Sequence, residues 1–402
     1  MNVDGIVTKF IINHPYYSDK PAYLSGKRLE DYPILTKKDV IENSELFTPC
    51  GSNTYVTYTS GSTGMPMKIV WDRSDYLRSM ACLWRLRKEH GIDTKTFYLS
   101  CHNSFELNGK ISTEPIMVRK NFVSFSKIYF TQELMEKYIK YIELTQPKWI
   151  YAQPSFVYHL GLFLKEMAPH LLMSFQYIEL VGEMVTPQIK DSIQKMFANA
   201  EVTTMYGMQE FNCIMYERDH LLQPCSENVY IEILDSKGEA CKNGEEGNIV
   251  ITGLKNSRMP LIRYKTEDKG RRITDGDTVG YIITQGRAND SFVYDGKTLD
   301  GSLFFHIVLK YNMENEKKIS KFQVIQKDNA LFFNLFGIEG LSESSKIEDK
   351  IGQILLHDFK IDFAVKVNII SDITLFQSSR GKTKYFINLN HLGKGEMNAE
   401  FV

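Results

Sequence analysis

The sequence predicts an α/β fold with mixed and parallel sheets, a β-rich subdomain and a small C-terminal α+β domain. Three observations predict it. Between residues 54 and 207, strand-like runs alternate with helical runs of 12–16 residues, the pattern of a largely parallel sheet with helical crossovers. Beyond residue 225 the stretch "NVYIEILDSKGEACKNGEEGNIVITGL" reads as hairpins with Gly and Asn turns. After "GRANDSF" at 286–292, alternating strands such as "KISKFQVIQKDNALFFNLF" and a helix around "SSKIEDKIGQILLHDFK" form a separate unit.

The elements follow in order. Residues 1–50 mix short helical patterns with proline turns and read as a docking arm. "NTYVTYTS" alternates as a strand and runs into a glycine-rich loop. "SDYLRSMACLWRLRKEHG" has helical spacing and stops at Gly91. "KTFYLSC", "PKWIYAQ", "QYIELVG" and "EVTTMYG" are strand-like. Between them lie the helical stretches "TQELMEKYIKYIELTQ", "PSFVYHLGLFLKEMAPH", opened by proline, and "TPQIKDSIQKMFANA". Sheets of this kind place ligands beyond the carboxyl ends of strands. Ser60, Gly182, Glu183, Tyr206 and Gly207 all fall there.

Composition narrows the function. The 402 residues suffice for two or three domains, and 43% apolar with 24% charged residues describes a soluble globular chain. A formal net charge of -1 gives no electrostatic case for nucleic acid or anionic membrane as partner. No apolar run approaches the roughly 20 residues of a membrane helix, and the N-terminus lacks a secretion signal. Cys50, Cys82, Cys101, Cys213, Cys225 and Cys241 are scattered, which argues against a zinc knuckle or a disulfide scaffold and for a reducing, cytoplasmic setting.

The loop "YTSGSTGMPMK" at 58–68 concentrates chemistry. Glycine lets backbone N–H groups turn toward an anion. Thr59, Ser60, Ser62 and Thr63 add hydroxyl donors, and Lys68 adds a mobile charge. It is not a Walker loop, and "RGKT" at 380–383 lacks the earlier glycine, since position 376 is Phe. Taken alone, the loop fits an ordinary surface turn as well as a phosphate cradle.

Six further segments change that balance. With the loop, "YAQPSFVYHL", "LVGEMVTP", "MYGMQE", "EEGNIVITGLKNSRMPLIRYKTEDKG", "QGRAND" and "SSRGKTKYFIN" occur in one order along the chain. Together they resemble the adenylate-forming enzyme superfamily, most closely its phenylacetate–coenzyme A ligase branch and the related capsular-biosynthesis proteins. The resemblance covers residues from about 14 to 390. It implies a large ATP- and acyl-binding domain over 1–287 and a small mobile lid over 288–402.

The resemblance also implies a reaction. A carboxylate joins the α-phosphate of ATP, pyrophosphate leaves, and a thiol or amine attacks the acyl-adenylate. Ser60, Gly61, Ser62, Thr63, Gly64 and Lys68, with Thr59, would close over the pyrophosphate. Gly182 and Glu183 would line the adenine pocket, Tyr206 would stack on the base and Gly207 would leave room beside it. Glu210 is the expected ligand of Mg2+, because a carboxylate near phosphates needs a cation between them. Asp268 would accept the ribose hydroxyls and Arg287 would approach ribose or phosphate. Lys382, directly after a glycine, is the candidate adenylation lysine, with Lys384 as rival. Each residue also has a bland reading: a surface loop for 58–68, a core aromatic for Tyr206, and surface charges for Glu210, Asp268 and Lys382.

The sequence departs from the family pattern in places. Gln209 stands where a Ser or Thr precedes the motif glutamate. "TED" at 266–268 puts Glu267 where a glycine is usual, and Asn289 stands where the hinge has aspartate. "YDGKTLDGSLFFHIV" differs from the coenzyme A ligase type, which weakens coenzyme A as acceptor more than ATP as substrate. The acyl pocket is expected to draw on residues 100–112 and the helix 154–166. His102 there either orients a carboxylate or is a buried, hydrogen-bonded histidine.

Three functions remain at this point. One is an ATP-dependent acid–thiol ligase using coenzyme A or carrier-protein pantetheine. Another uses the same adenylate with an amine acceptor, such as an amino sugar in surface polysaccharide biosynthesis. The last is a nucleotide-binding relative without turnover. Partners are then a small carboxylic acid, an acyl-carrier protein or amino sugar, and a second copy of the chain in a homodimer.

Overall fold

The structure is a computed structural model. It describes residues 2–24, 28–48, 51–59, 67–102, 105–107, 110–112, 114–126, 132–276, 278–285, 291–295, 297–300, 303–315, 319, 321–336, 344–370 and 386–389.

The glycine-rich loop joins two strands of a hairpin. β1 (Thr54–Tyr58) pairs antiparallel with β2 (Lys68–Asp72), and α1 (Arg73–Glu89) follows. Sequence patterning ran the loop straight into the helix, because five residues are too few to show a period. The helix starts at Arg73, where the Asp72 carboxylate accepts a hydrogen bond from the Ser74 N–H at 2.8 Å. Arg87 and Lys88 fill its last turn, favourable against the helix dipole. α2 (Pro154–Met167) opens with proline at its first turn, where no N–H is needed. β3 (Glu201–Met208), β4 (Asn212–Arg218), β5 (Glu246–Gly253) and β6 (Tyr264–Asp275) complete the elements that bear on the site.

The chain divides into two compact units, residues 1–95, 179–182 and 203–287 in one, and 96–178, 183–202 and 288–402 in the other. In the first, a run of strands lies in the order Val229–Leu234, β5, β6, Thr278–Gln285, Leu221–Pro224, β4, β3. These neighbouring strands pair antiparallel. One core of Phe10, Tyr17, Phe47, Trp71, Ile251 and Tyr264 joins the arm, the hairpin and this sheet. The arm docks by backbone as well: Leu35 N–H donates to Arg263 O and Lys265 N–H to Leu35 O, both at 2.9 Å. The Tyr17 hydroxyl donates to Pro260 O at 2.8 Å.

In the second unit, Tyr98–His102 pairs in parallel with both Phe122–Ser126 and Trp149–Ala152. Residues 303–388 carry a four-stranded sheet, ordered Ala364–Ile369, Ala330–Phe336, Lys321–Lys327, Phe386–Asn388. The helices Leu303–Glu314 and Ser344–Phe359 add Phe304, Ile351 and Leu355 to Phe333 and Phe386 in a separate core.

Among the described residues no helix is long and apolar enough to cross a membrane. One cysteine pair was not foreseen in the sequence. Cys82 on α1 and Cys225 are joined as a disulfide with Cα atoms 6.7 Å apart. They are 143 residues apart in sequence, so spacing gave no hint of the pair that folding assembles.

Candidate functional site

The hairpin is closed at its loop end by Thr59. Its N–H donates to Met67 O at 2.9 Å, and its side-chain oxygen accepts from Met67 N–H at 3.1 Å. Thr59 is buried, and Lys68, opposite Tyr58, is exposed. Ser60, Gly61, Ser62, Thr63 and Gly64 lie outside the described residues, as do Arg287, Asn289, Lys382 and Lys384.

The segment Tyr206–Asn212 is shaped by backbone constraints. β3 and β4 slip register between Tyr206 and Gly207. A Cβ on Gly207 would stand 2.6 Å from Asn212 O, so this position admits only glycine. Asn212 takes φ 59°, a conformation asparagine tolerates, and its amide donates to Ser79 Oγ on α1 at 2.5 Å. The turn between the strands buries Glu210 to 3% exposure. Gln209 beside it is held from the hairpin: Trp71 Nε1–H donates to Gln209 O at 3.2 Å and Thr57 Oγ1–H to Gln209 Oε1 at 3.1 Å.

A second irregularity delivers Asp268. β5 and β6 pair Asn248 with Lys269 but Val250 with Lys265, so Thr266, Glu267 and Asp268 face the single residue Ile249. Bulges of this sort re-aim side chains. Thr266 Oγ1–H donates to Ile249 O at 3.0 Å while the same oxygen accepts from Asp268 N–H at 3.2 Å. Glu267 takes φ 71° and is exposed, so the residue usual at this place, glycine, matches the backbone better than the glutamate present. Asp268 is buried, and the Tyr206 hydroxyl donates to its Oδ2 at 2.5 Å.

Two expected residues have other partners. Glu183 accepts from Ser155 N–H at 3.2 Å and Ser155 Oγ–H at 2.9 Å, in the first turn of α2. Gly182 before it has φ 77°, a conformation that favours glycine. His102 spends both ring nitrogens, Nδ1 on Ser124 Oγ at 2.8 Å and Nε2 on Glu114 O at 2.9 Å, and burial lowers its pKa. It is therefore the hydrogen-bonded histidine of the two readings.

The site residues thus fall into one connected group and several outliers. Tyr206 meets Asp268 directly, and Gln209 ties the Glu210 turn to the hairpin of Lys68. Among the described residues no group of three or more His, Cys, Asp or Glu could hold a metal.

Sequence reasoning missed two buried cations. Arg263, at φ 51°, donates to both Glu232 oxygens at 2.9 and 3.2 Å and to the carbonyls of Glu30 and Tyr32 at 2.9 and 2.7 Å. It pins the arm to β6 just ahead of Asp268. Arg87 makes a two-pronged pair with Glu179 at 2.7 and 2.9 Å, three residues before Gly182. Their partners are far away in sequence, so no local signal marks them.

The sequence pattern of the AMP-binding enzyme family matches residues 23–259. Protein CapK of Staphylococcus aureus is 24% identical over 279 residues, 64% of this chain and 58% of that protein. Phenylacetate-coenzyme A ligase of Aromatoleum evansii is 22% identical over 271 residues, 63% of this chain and 60% of the enzyme. The chain thus spans about three-fifths of the length of these relatives. A solved structure of 2-hydroxyisobutyryl-CoA ligase, in the postadenylation state with R3-HIB-AMP, superposes with a TM-score of 0.70. It covers 96% of this chain and 88% of that one at 17% identity, a likeness of fold.

Proposed function

The chain belongs to the AMP-binding enzyme family, and from that premise we propose that it activates a carboxylic acid as its acyl-adenylate and transfers the acyl group to a thiol. The observation that carries the reading is the meeting of Tyr206 and Asp268. An aromatic ring beside a buried carboxylate suits a nucleoside: the face can stack on the base while the carboxylate accepts ribose hydroxyls.

In the first half-reaction a substrate carboxylate oxygen bonds to the α-phosphorus and the bond to pyrophosphate breaks. Charge builds on the phosphoryl oxygens, and cations placed in advance lower that barrier. Lys68 serves the leaving pyrophosphate, with Thr59 and residues 60–64 forming the loop around it. Glu210 would hold the magnesium ion, which would supply charge neutralisation at the phosphates. Gly182, Glu183 and Gly207 bound the base, Gln209 positions the Glu210 turn, and Arg287 approaches ribose or phosphate. Residues 288–402 act as a lid that delivers Lys382 to the α-phosphate and the acid.

In the second half-reaction a thiol sulfur attacks the acyl carbon and AMP leaves. A coenzyme A acceptor is supported by the likeness to phenylacetate-coenzyme A ligase, and a carrier-protein pantetheine by a likeness to the D-alanine--D-alanyl carrier protein ligase of Bacillus velezensis, 26% identical over 281 residues. The test is acid-dependent exchange of labelled pyrophosphate into ATP, with magnesium, a panel of aromatic, short aliphatic, fatty and amino acids, and no acceptor. Exchange with one acid class is expected. That acid is then supplied with coenzyme A, pantetheine or an amino sugar, and product with the amine alone would overturn the thiol. No exchange and no ATP binding would overturn the nucleotide roles.

A further inference from the structure

We propose that Gln209 is a positioning residue that locks the Glu210 turn to the hairpin bearing Lys68 and thereby sets the affinity for MgATP; this rests on the nucleotide reading above. The sequence marks Gln209 as a departure, a long amide where a short hydroxyl residue is expected. The structure shows where that length goes. The side chain reaches β1, where Thr57 Oγ1–H donates to Gln209 Oε1 at 3.1 Å. A serine or threonine oxygen lies two bonds nearer its own backbone and would fall short of the same partner.

The tie is made from both strands of the hairpin. Thr57 on β1 stands opposite Ile69, the neighbour of Lys68. Trp71 on β2 stands opposite Tyr55, and its indole N–H donates to Gln209 O at 3.2 Å. Trp71 is buried, so this bond is fixed by packing. The turn carrying the Glu210 carboxylate is therefore held by both strands of the hairpin that bears Lys68. MgATP that Glu210 would hold and Lys68 would contact depends on where the turn and the hairpin place those two groups. Holding that placement before the ligand arrives lowers the cost of binding.

The bland alternative is a hydrogen bond at the protein surface that only adds a little stability. A mutant cycle on the full chain separates the two. Thr57→Val, Gln209→Met, the double variant and Thr57→Ser are titrated with MgATP, following tryptophan fluorescence, and each is melted. Positioning predicts that either single variant weakens MgATP by about 3–10-fold. The double variant is then no weaker than the worse single, Thr57→Ser restores wild-type affinity, and pyrophosphate exchange shows the change in KM for ATP rather than in kcat. Unchanged affinity in the singles, or additive losses in the double, overturns the inference while the nucleotide reading stands. A wild-type chain that does not bind MgATP overturns that reading, and the inference with it.

Discussion

The Tyr206 hydroxyl donates a 2.5 Å hydrogen bond to Asp268 across 62 residues of sequence. Two bulges make the contact possible, one at Tyr206/Gly207 and one at Thr266–Asp268. The bond fixes one carboxylate oxygen and the plane of the ring together. Tyr206→Phe keeps the ring and removes the tie, at about 1 kcal/mol for a bond of this kind. The KM for ATP in pyrophosphate exchange should rise about fivefold. An unchanged KM would mean that the hydroxyl does not position Asp268.

Glu267 sits at φ 71° with its side chain exposed. The left-handed region costs an L-residue roughly 1–2 kcal/mol, against which glycine brings extra chain entropy to the unfolded state. Glu267→Gly should raise stability by about 0.5–1 kcal/mol in urea, and Glu267→Val should lower it by more than ~1 kcal/mol. Equal melting of the two variants would show that the bulge relaxes around either.

Arg263 and Glu232 are both largely buried, and burial raises the Glu232 pKa despite the guanidinium beside it. Removing one partner leaves the other charge stranded. Arg263→Ala should cost ~3–5 kcal/mol in urea denaturation. Arg263→Lys should also be costly, because one ammonium cannot serve two carboxylate oxygens and two carbonyls. A near-neutral Arg263→Lys would count against the forked geometry.

His14 is buried against Tyr17 and Phe47. Burial lowers its pKa from 6.5 to about 4. The unfolded chain therefore binds this proton first as the pH falls. Stability is unaffected above pH 6.5 and declines from there to about pH 4, by roughly 3 kcal/mol in total. His14→Phe should flatten that part of the profile. Urea midpoints of the two proteins at pH 7.5, 5.5 and 4.5 measure it; parallel profiles would remove His14 as the cause.

Lys382 lies outside the described residues, and its role rests on the proposed lid. Lys382→Ala should cut adenylate formation by about 100-fold or more while transfer from a supplied acyl-adenylate persists. Equal loss in both half-reactions would assign the lysine elsewhere.

Much of this protein was legible one residue at a time. Helix starts at Asp72, Pro154 and Thr186–Pro187 obey local capping rules, so helices stood out from the sequence. The hairpin strand Lys68–Asp72 did not, because five apolar-rich residues leading into a helix carry no distinct period. Among site residues, motif order marked Tyr206, Glu210 and Asp268 as candidates, and Glu267 and Gln209 as departures.

Tertiary structure decided what those residues touch. Glu267 keeps a glycine-type dihedral, which only the bulge opposite Ile249 reveals. Gln209 finds Thr57 152 residues away, Arg263 finds Glu30 and Tyr32 more than 230 away, and Cys82 finds Cys225. The physical reason is common to all of them. Capping, turns and periodicity act over a few residues and are written in local order. Hydrogen bonds, ion pairs and disulfides between distant segments depend on sheet register and helix packing, which exist only once the chain has folded.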